Sequence, residues 1–293
     1  MKEQLKVWIL ASRPKTLWAA VSPVIIGTAM AYGEHKVHWL SAFLAAFAAV
    51  MIQIGTNFAN DYFDYFRGAD TGERLGPLRV TQAGLVKPEA MKKATILVFG
   101  LAVLAGIYLI WRGGWPILLI GVLSILFGVL YTAGPFPLGY NGLGDLFVLI
   151  FFGLIAVGGT YYVQALEIDL LVILAGISPG LFSTAILTVN NLRDIYTDRK
   201  VGKKTLAVRF GETFARMEYL VSVLIACLIP ILLYFLTGSH LYALAASLVF
   251  LVAIPSIKTV FRHPPGKIFN KVLATTGKLL LLYSLMFSIG WIL

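Results

Sequence analysis

Nine apolar runs divide the chain, at about residues 17–33, 39–62, 91–111, 115–133, 143–163, 170–192, 217–237, 239–259 and 273–292. Each is close to the roughly 20 residues that a helix needs to cross a hydrocarbon core about 30 Å thick. In lipid the backbone polar groups must be satisfied within the segment, so runs of this length select helices. The sequence therefore predicts an all-α membrane protein of nine transmembrane helices, a single integral domain over residues 1–293. Composition agrees, with 59% apolar residues and only 13% charged. Mean hydropathy is +0.84.

A net charge of +10 invites a nucleic-acid reading, but the placement of the charges excludes it. Segments 1–15, 63–93, 193–216 and 258–278 carry 22 of the 24 Lys and Arg residues, leaving only Lys36 and Arg112 elsewhere. Nine alternating spans put all four rich segments on one side, which the positive-inside rule makes cytoplasmic. The N-terminus and the loops at 63–90 and 193–216 are then cytoplasmic. Residues 1–15 are expected to form an interfacial amphipathic helix with Leu5, Trp8 and Ile9 on one side. Lys2, Lys6 and a short apolar run look like a signal peptide, but Arg13, Pro14 and Lys15 interrupt it and no cleavage is expected. The single cysteine, Cys227, lies in an apolar run, which excludes a disulfide scaffold.

Two polar rows interrupt this pattern. Asn190, Asp194 and Asp198 recur every four residues at the end of one apolar run, a spacing that lines them up on one helical face. Asn57, Asn60, Asp61 and Asp64, at offsets of 0, 3, 4 and 7, also share one helical face at the end of an earlier run. The rows stand 130 residues apart (Asn60 to Asn190, Asp64 to Asp194), which hints at an internal duplication of about four helices. Carboxylates are costly in a membrane. Helix capping explains one such residue per helix, not three at matched spacing. An ion or proton pathway would sit nearer the midplane at broken helices.

Oxygen donors without His or Cys suit magnesium, which binds through a few carboxylates and the phosphates of its substrate. Asn60, Asp64, Asp70, Asn190, Asp194 and Asp198 are the candidate ligands. Arg67, Arg74 and Arg79 after the first row, and Arg193, Arg199, Lys203 and Lys204 around the second, are candidate counter-charges for a diphosphate, although positive-inside topology alone accounts for some of them. Gly153, Gly158 and Gly159 allow helices to approach closely or leave room for a chain. A diphosphate held at the water edge of a greasy, aromatic interior suits a polyprenyl diphosphate. Metals ease loss of the diphosphate, and apolar and aromatic walls shield the allylic cation.

These residues resemble the UbiA-type intramembrane prenyltransferase superfamily. The second row, followed by Arg-Lys-Val-Gly-Lys-Lys-Thr, is similar to its aspartate-rich motif. The first, Asn-Asp-Tyr-Phe-Asp from Asn60, matches until the aspartate expected four residues after Asp64, which is Gly68 here, with Asp70 as the candidate substitute. The resemblance implies nine helices around a central cavity. Within the superfamily, Arg13-Pro-Lys-Thr, Gly76-Pro-Leu-Arg-Val-Thr-Gln-Ala-Gly84 and Gly134-Pro-Phe-Pro-Leu-Gly-Tyr-Asn-Gly-Leu-Gly144 resemble the 1,4-dihydroxy-2-naphthoate polyprenyltransferases of menaquinone synthesis. That implies magnesium-dependent transfer of a polyprenyl group onto the ring with loss of its carboxylate, in the plasma membrane of a bacterial or archaeal cell. An anionic aromatic acceptor needs a cation, with Arg13, Lys15 and Arg79 as candidates. Tyr131, Gln82 and Gln164 are candidate partners for ring hydroxyls, and Glu73 and Asp145 candidate bases. Another acceptor such as 4-hydroxybenzoate, or a transporter, are the competing readings.

Overall fold

The computed structural model describes residues 2–68 and 75–293, and helices dominate it. In chain order they are α1 (Lys2–Ser12), α2 (Trp18–Gly33), α3 (Trp39–Arg67), α4 (Pro88–Gly113), α5 (Trp115–Leu130), α6 (Gly144–Ala165), α7 (Leu170–Arg193), α8 (Ile195–Lys200), α9 (Leu206–Thr237), α10 (Leu241–Arg262) and α11 (Phe269–Ile292). Among the described residues seven are long and apolar enough to cross a membrane: α3, α4, α6, α7, α9, α10 and α11. The run at 17–33 becomes α2, which joins α1 at a bend of 53°, and the run at 115–133 becomes the 16-residue α5.

The bundle has a solid half and a hollow half. In the solid half α7 runs at the centre against α9 and α11, and Phe182, Val189, Tyr219, Val223, Leu280, Tyr283 and Phe287 are all buried there. Dispersion and interhelical hydrogen bonds, not water exclusion, hold helices together in lipid. Accordingly Tyr283 donates to Ser178 Oγ at 2.8 Å and Ser178 donates to the Ala226 carbonyl at 2.9 Å, tying α11, α7 and α9 through one buried chain. Cys227 is packed into this core. In the hollow half, α5 buries only Ile117.

Between the halves α6 crosses α7 on glycine. Residues Ile150–Ile155 of α6 form a π-helical turn, and an added Cβ on Gly153 would stand 2.5 Å from the Gly176 carbonyl oxygen and 2.8 Å from the Gly180 Cα. No side chain fits that crossing.

Hydrogen bonds gather the four basic segments at one end of the bundle. Asn57 of α3 donates to the Ser12 carbonyl, Asn270 to the Leu75 carbonyl, and Arg193 to Asn270. Arg216 reaches the carbonyls of Val260, Phe261 and His263. The two remaining cations lie at the other end, where Lys36 pairs with Glu34 and Glu167, and Arg112 donates to the carbonyls of Val163 and Gln164. The N-terminal helix differs from its expected pose. Leu5 and Ile9 are exposed, whereas Trp8 turns inward onto Phe58 with ring centroids 5.5 Å apart.

Gly153→Leu is expected to force α6 off α7 at a cost of about 1–3 kcal/mol. A melting curve in detergent should fall, and an unchanged midpoint would show that the crossing tolerates a side chain.

Candidate active site

Each polar row ends its helix in a different way. In the first, α3 continues unbroken through Asp64 to Arg67 and stops at Gly68, whose φ of 62° is left-handed. An L side chain is strained in that conformation. The row therefore cannot extend to position 68, because the helix has already ended there. In the second, α7 ends at Arg193 and Asp194 caps it, yet the register survives. The Asp194 amide donates to the Asn190 carbonyl at 3.2 Å and the Asp198 amide to the Asp194 carbonyl at 2.8 Å, so α8 carries Asp198 round to the same side.

Asn60, Asp64, Asn190, Asp194 and Asp198 all line one cavity of about 530 Å³ between the two halves of the bundle. Arg13, Arg79, Tyr131, Tyr140 and Lys203 line it too. Each acid is held by a cation. Arg79 donates to Asp64 Oδ2 at 2.6 Å, Arg193 to Asp194 Oδ2 at 2.5 Å, and Lys203 Nζ stands 3.2 Å from Asp198 Oδ1. The asparagine oxygens are anchored as well: Thr132 donates to Asn60 at 2.9 Å and Arg193 to Asn190 at 2.8 Å. Away from these groups the lining is apolar. Phe127, Phe147 and Phe151 face it, with Phe127 at 4.8 Å from Phe147 and 5.5 Å from Phe151 between centroids.

Tyr140 was not singled out by spacing, yet it closes the site. Its hydroxyl donates to Asp64 Oδ1 at 2.8 Å, and Lys203 Nζ stands over its ring 4.8 Å from the centroid. Burial, then the Asp64 carboxylate, raises its pKa. Burial raises that of Tyr131 as well, followed by the charges of Asp145, Asp198 and Asp64. Both phenols are therefore neutral donors near pH 7. The sequence signal for Tyr140 was its place in the Gly134–Gly144 stretch. Asn270, which links Arg193 to residue 75, had none.

Other expected residues take different places. Asp61, in the same row as Asp64, turns from the cavity and accepts the Val80 amide at 3.2 Å, pinning the following loop. Arg193 is buried behind the acids, bound to Asp194, Asn190 and Asn270, and does not line the cavity. Lys15, Arg67, Gln82, Arg199 and Lys204 are exposed and also outside its lining. Arg67 instead donates to the Gly134 carbonyl, and the Lys204 amide donates to the Tyr140 carbonyl at 2.7 Å, which joins two loops through backbone. Gln164 lies near the opposite end of the bundle, donating to Thr28 at 3.2 Å and to the Thr160 carbonyl at 2.8 Å. Asp145 is buried outside the lining. Asp70, Glu73 and Arg74 lie outside the described residues.

The model of the UbiA prenyltransferase family matches residues 20–287. The chain belongs to that family. It is 38% identical over 296 residues to the 1,4-dihydroxy-2-naphthoate octaprenyltransferase of Escherichia coli (strain K12), covering 97% of this chain and 94% of that one. To the enzyme of the same name in Haemophilus influenzae it is 36% identical over 302 residues, covering 99% and 97%. The fold is that of a UbiA homolog from Archaeoglobus fulgidus bound to GPP and Mg2+, with a TM-score of 0.70, 14% identity, and coverage of 98% and 99%.

Magnesium fits the donor set. Among the described residues no three His, Cys, Asp or Glu side chains cluster tightly enough to hold an ion unaided. Magnesium does not require that, since it keeps waters and takes substrate phosphates beside one or two carboxylates. A carbonyl oxygen that accepts one hydrogen bond retains a second lone pair, so the asparagines remain available.

Arg193→Ala is expected to leave Asp194 charged and buried without its cation, a loss of about 3–5 kcal/mol. The readout is the yield and melting midpoint of purified protein, and full stability in the variant would contradict the anchoring role.

Proposed function

We propose that the protein transfers a polyprenyl group from a polyprenyl diphosphate to 1,4-dihydroxy-2-naphthoate, with loss of the ring carboxylate. The observation that carries this reading is the convergence of two acid rows, 130 residues apart in sequence, on one cavity whose remaining walls are apolar and aromatic. The names of its relatives supply the acceptor. Nine helices cross the membrane on this reading, with α2 and α5 as the short spans. The end where the basic segments gather faces the cytoplasm.

Magnesium bound by Asn60, Asp64, Asn190, Asp194 and Asp198 would neutralise the diphosphate and ease its departure. Lys203, the cavity-lining cation beside Asp198, adds a counter-charge from the protein. Arg13 and Arg79 face the same cavity and suit the acceptor carboxylate. Tyr131 and Tyr140 line the cavity as neutral phenols, Tyr140 donating to Asp64 Oδ1. Phe127, Phe147 and Phe151 line the apolar part of the cavity and keep out water, which would otherwise capture the allylic cation.

Decarboxylation removes the need for a base at the attacked carbon. The ring carbon bearing the carboxylate bonds to the allylic carbon as the carbon–oxygen bond to diphosphate breaks. Carbon dioxide then leaves, and the electrons of its bond restore the aromatic ring. No ring proton has to be taken, which agrees with Asp145 lying outside the cavity lining. The product is the reduced form of a demethylmenaquinone.

Asp64→Ala, Asp194→Ala and Asp198→Ala should each lower turnover by 100-fold or more, on the order of an electrostatic catalytic group, while the protein remains in the membrane. Turnover retained in all three would end the proposal. With dihydroxynaphthoate, a polyprenyl diphosphate and magnesium, mass spectrometry should find a prenylated, decarboxylated product that EDTA abolishes and excess magnesium restores. A product formed from 4-hydroxybenzoate instead would reassign the acceptor.

A further inference from the structure

Of the five aspartates buried in the bundle, four have partners. Asp64, Asp194 and Asp198 each face a cation, and Asp61 takes the Val80 amide. Asp145, in the first turn of α6 and only 6% exposed, is the exception. Its Oδ1 has no hydrogen-bond partner among the described residues. The charged group beside it is another acid. Glu218 of α9, half-buried, reaches toward Thr188 of α7 and lies close enough to Asp145 for the two carboxylates to repel. Among the described residues no ion pair joins either acid to a cation. Two carboxylates that meet away from water without a cation cannot both stay ionised, so they share a proton.

The pair stands behind a wall of the cavity. Tyr131 lines the cavity, and Gly144, the residue before Asp145, has no side chain where one would begin 3.1 Å from the Tyr131 hydroxyl. Of the charges that bear on that hydroxyl Asp145 is the strongest, ahead of Asp198 and Asp64, with Arg13 opposing them. Asp145 itself lies outside the lining, so Tyr131 stands between it and the cavity.

The reaction proposed above takes no ring proton, but it does displace a hydroxyl proton. As the ring carbon bearing the carboxylate bonds to the allylic carbon, the oxygen on the neighbouring ring carbon becomes a carbonyl and its proton has to leave. That carbonyl then receives the electrons of the bond to carbon dioxide, and the resulting phenolate needs the proton back. The balance is zero, so the requirement is for a group that holds one proton briefly and returns it. We infer that Asp145, sharing a proton with Glu218 and acting through Tyr131, is that store and therefore a positioning residue for the reaction. This rests on the reading of the site as one for decarboxylating prenyl transfer. Tyr131 takes the acceptor proton on its oxygen as its own passes to Asp145, and the reverse transfer restores the hydroxyl.

Asp145→Asn keeps the shape and removes the store. In purified protein near pH 7 it should lower kcat about 100-fold, with KM for both substrates and the melting midpoint unchanged. As pH rises toward about 10, where a phenol ionises unaided, the acceptor arrives without its proton and the deficit should largely disappear. The readout is the ratio of wild type to variant at each pH, which cancels what titrates in both. Tyr131→Phe cuts the link and leaves the pair intact, and it should show the same pH-dependent loss of kcat even where Asp145→Asn does not fold. Unchanged kcat in both variants, as when the departing diphosphate takes the proton, would overturn the store. An equal loss at every pH, the mark of a packing role, would overturn it too. Wild-type protein without turnover of dihydroxynaphthoate would remove the reading of the site instead.

Discussion

A carboxylate in an apolar bundle has to be neutralised, and the loops at the acid-bearing end are built around that requirement. Arg79 reaches back to Asp64 and Lys203 to Asp198, each from the basic segment that follows its row. The loops are therefore not loose connections that happen to carry charge. Their course is fixed by the acids: Asp61 takes the Val80 amide one residue beyond Arg79, and Lys204, one residue beyond Lys203, ties its own amide to Tyr140. The desolvation cost of a buried ion is recovered only when geometry and additional hydrogen bonds are good. Asp64 meets that condition with a guanidinium on one oxygen and a phenol on the other.

This requirement also explains why the bundle is lopsided. A row of acids needs a rigid base, and α7 supplies one because α9 and α11 pack it on the side away from the cavity. The Tyr283–Ser178–Ala226 chain fixes these helices where lipid offers no competing water. The first row has its own base in α4, where Phe99 packs on Gly55 and Met91 on the cluster around Phe58, and only α5, which buries Ile117 alone, is a thin wall. Stability and space are divided between two sets of helices, and α6, crossing α7 on bare glycine, belongs to both.

The sequence disclosed most where physics imposes a period. Runs of spanning length mark the helices, and recurrence every four residues marks Asn190, Asp194 and Asp198 as one row even though α7 ends within it, at Asp194. The break did no harm, because the amide-to-carbonyl register continues across it. Even the departure at Gly68 was visible, although its cause, a left-handed residue ending α3, was not. Tyr140 and Asn270 were hidden for a different reason. They arrive from segments without periodicity, and nothing in composition tells which loop side chain turns inward. The same limit applied to the cations. Positive-inside topology enriches Arg and Lys at this end whether or not they serve the site, so Arg199 and Lys203 looked equivalent and only one lines the cavity.

The cations near the acids divide further by what holds them. Arg193 is fully buried outside the cavity lining and bound by Asp194, Asn190 and Asn270. Lys203 is different. Its side chain retains 19% of its exposure and leans over the Tyr140 ring, and its acid partner Asp198 itself faces the cavity. On the proposed reading Asp198 would be among the residues that hold the metal, and Lys203, which lines the same cavity, is the protein's own counter-charge beside it. Arg79 stands in the same relation to Asp64. The internal ion pairs that make the acids tolerable before substrate arrives are, at these two positions, the groups that substrate would use.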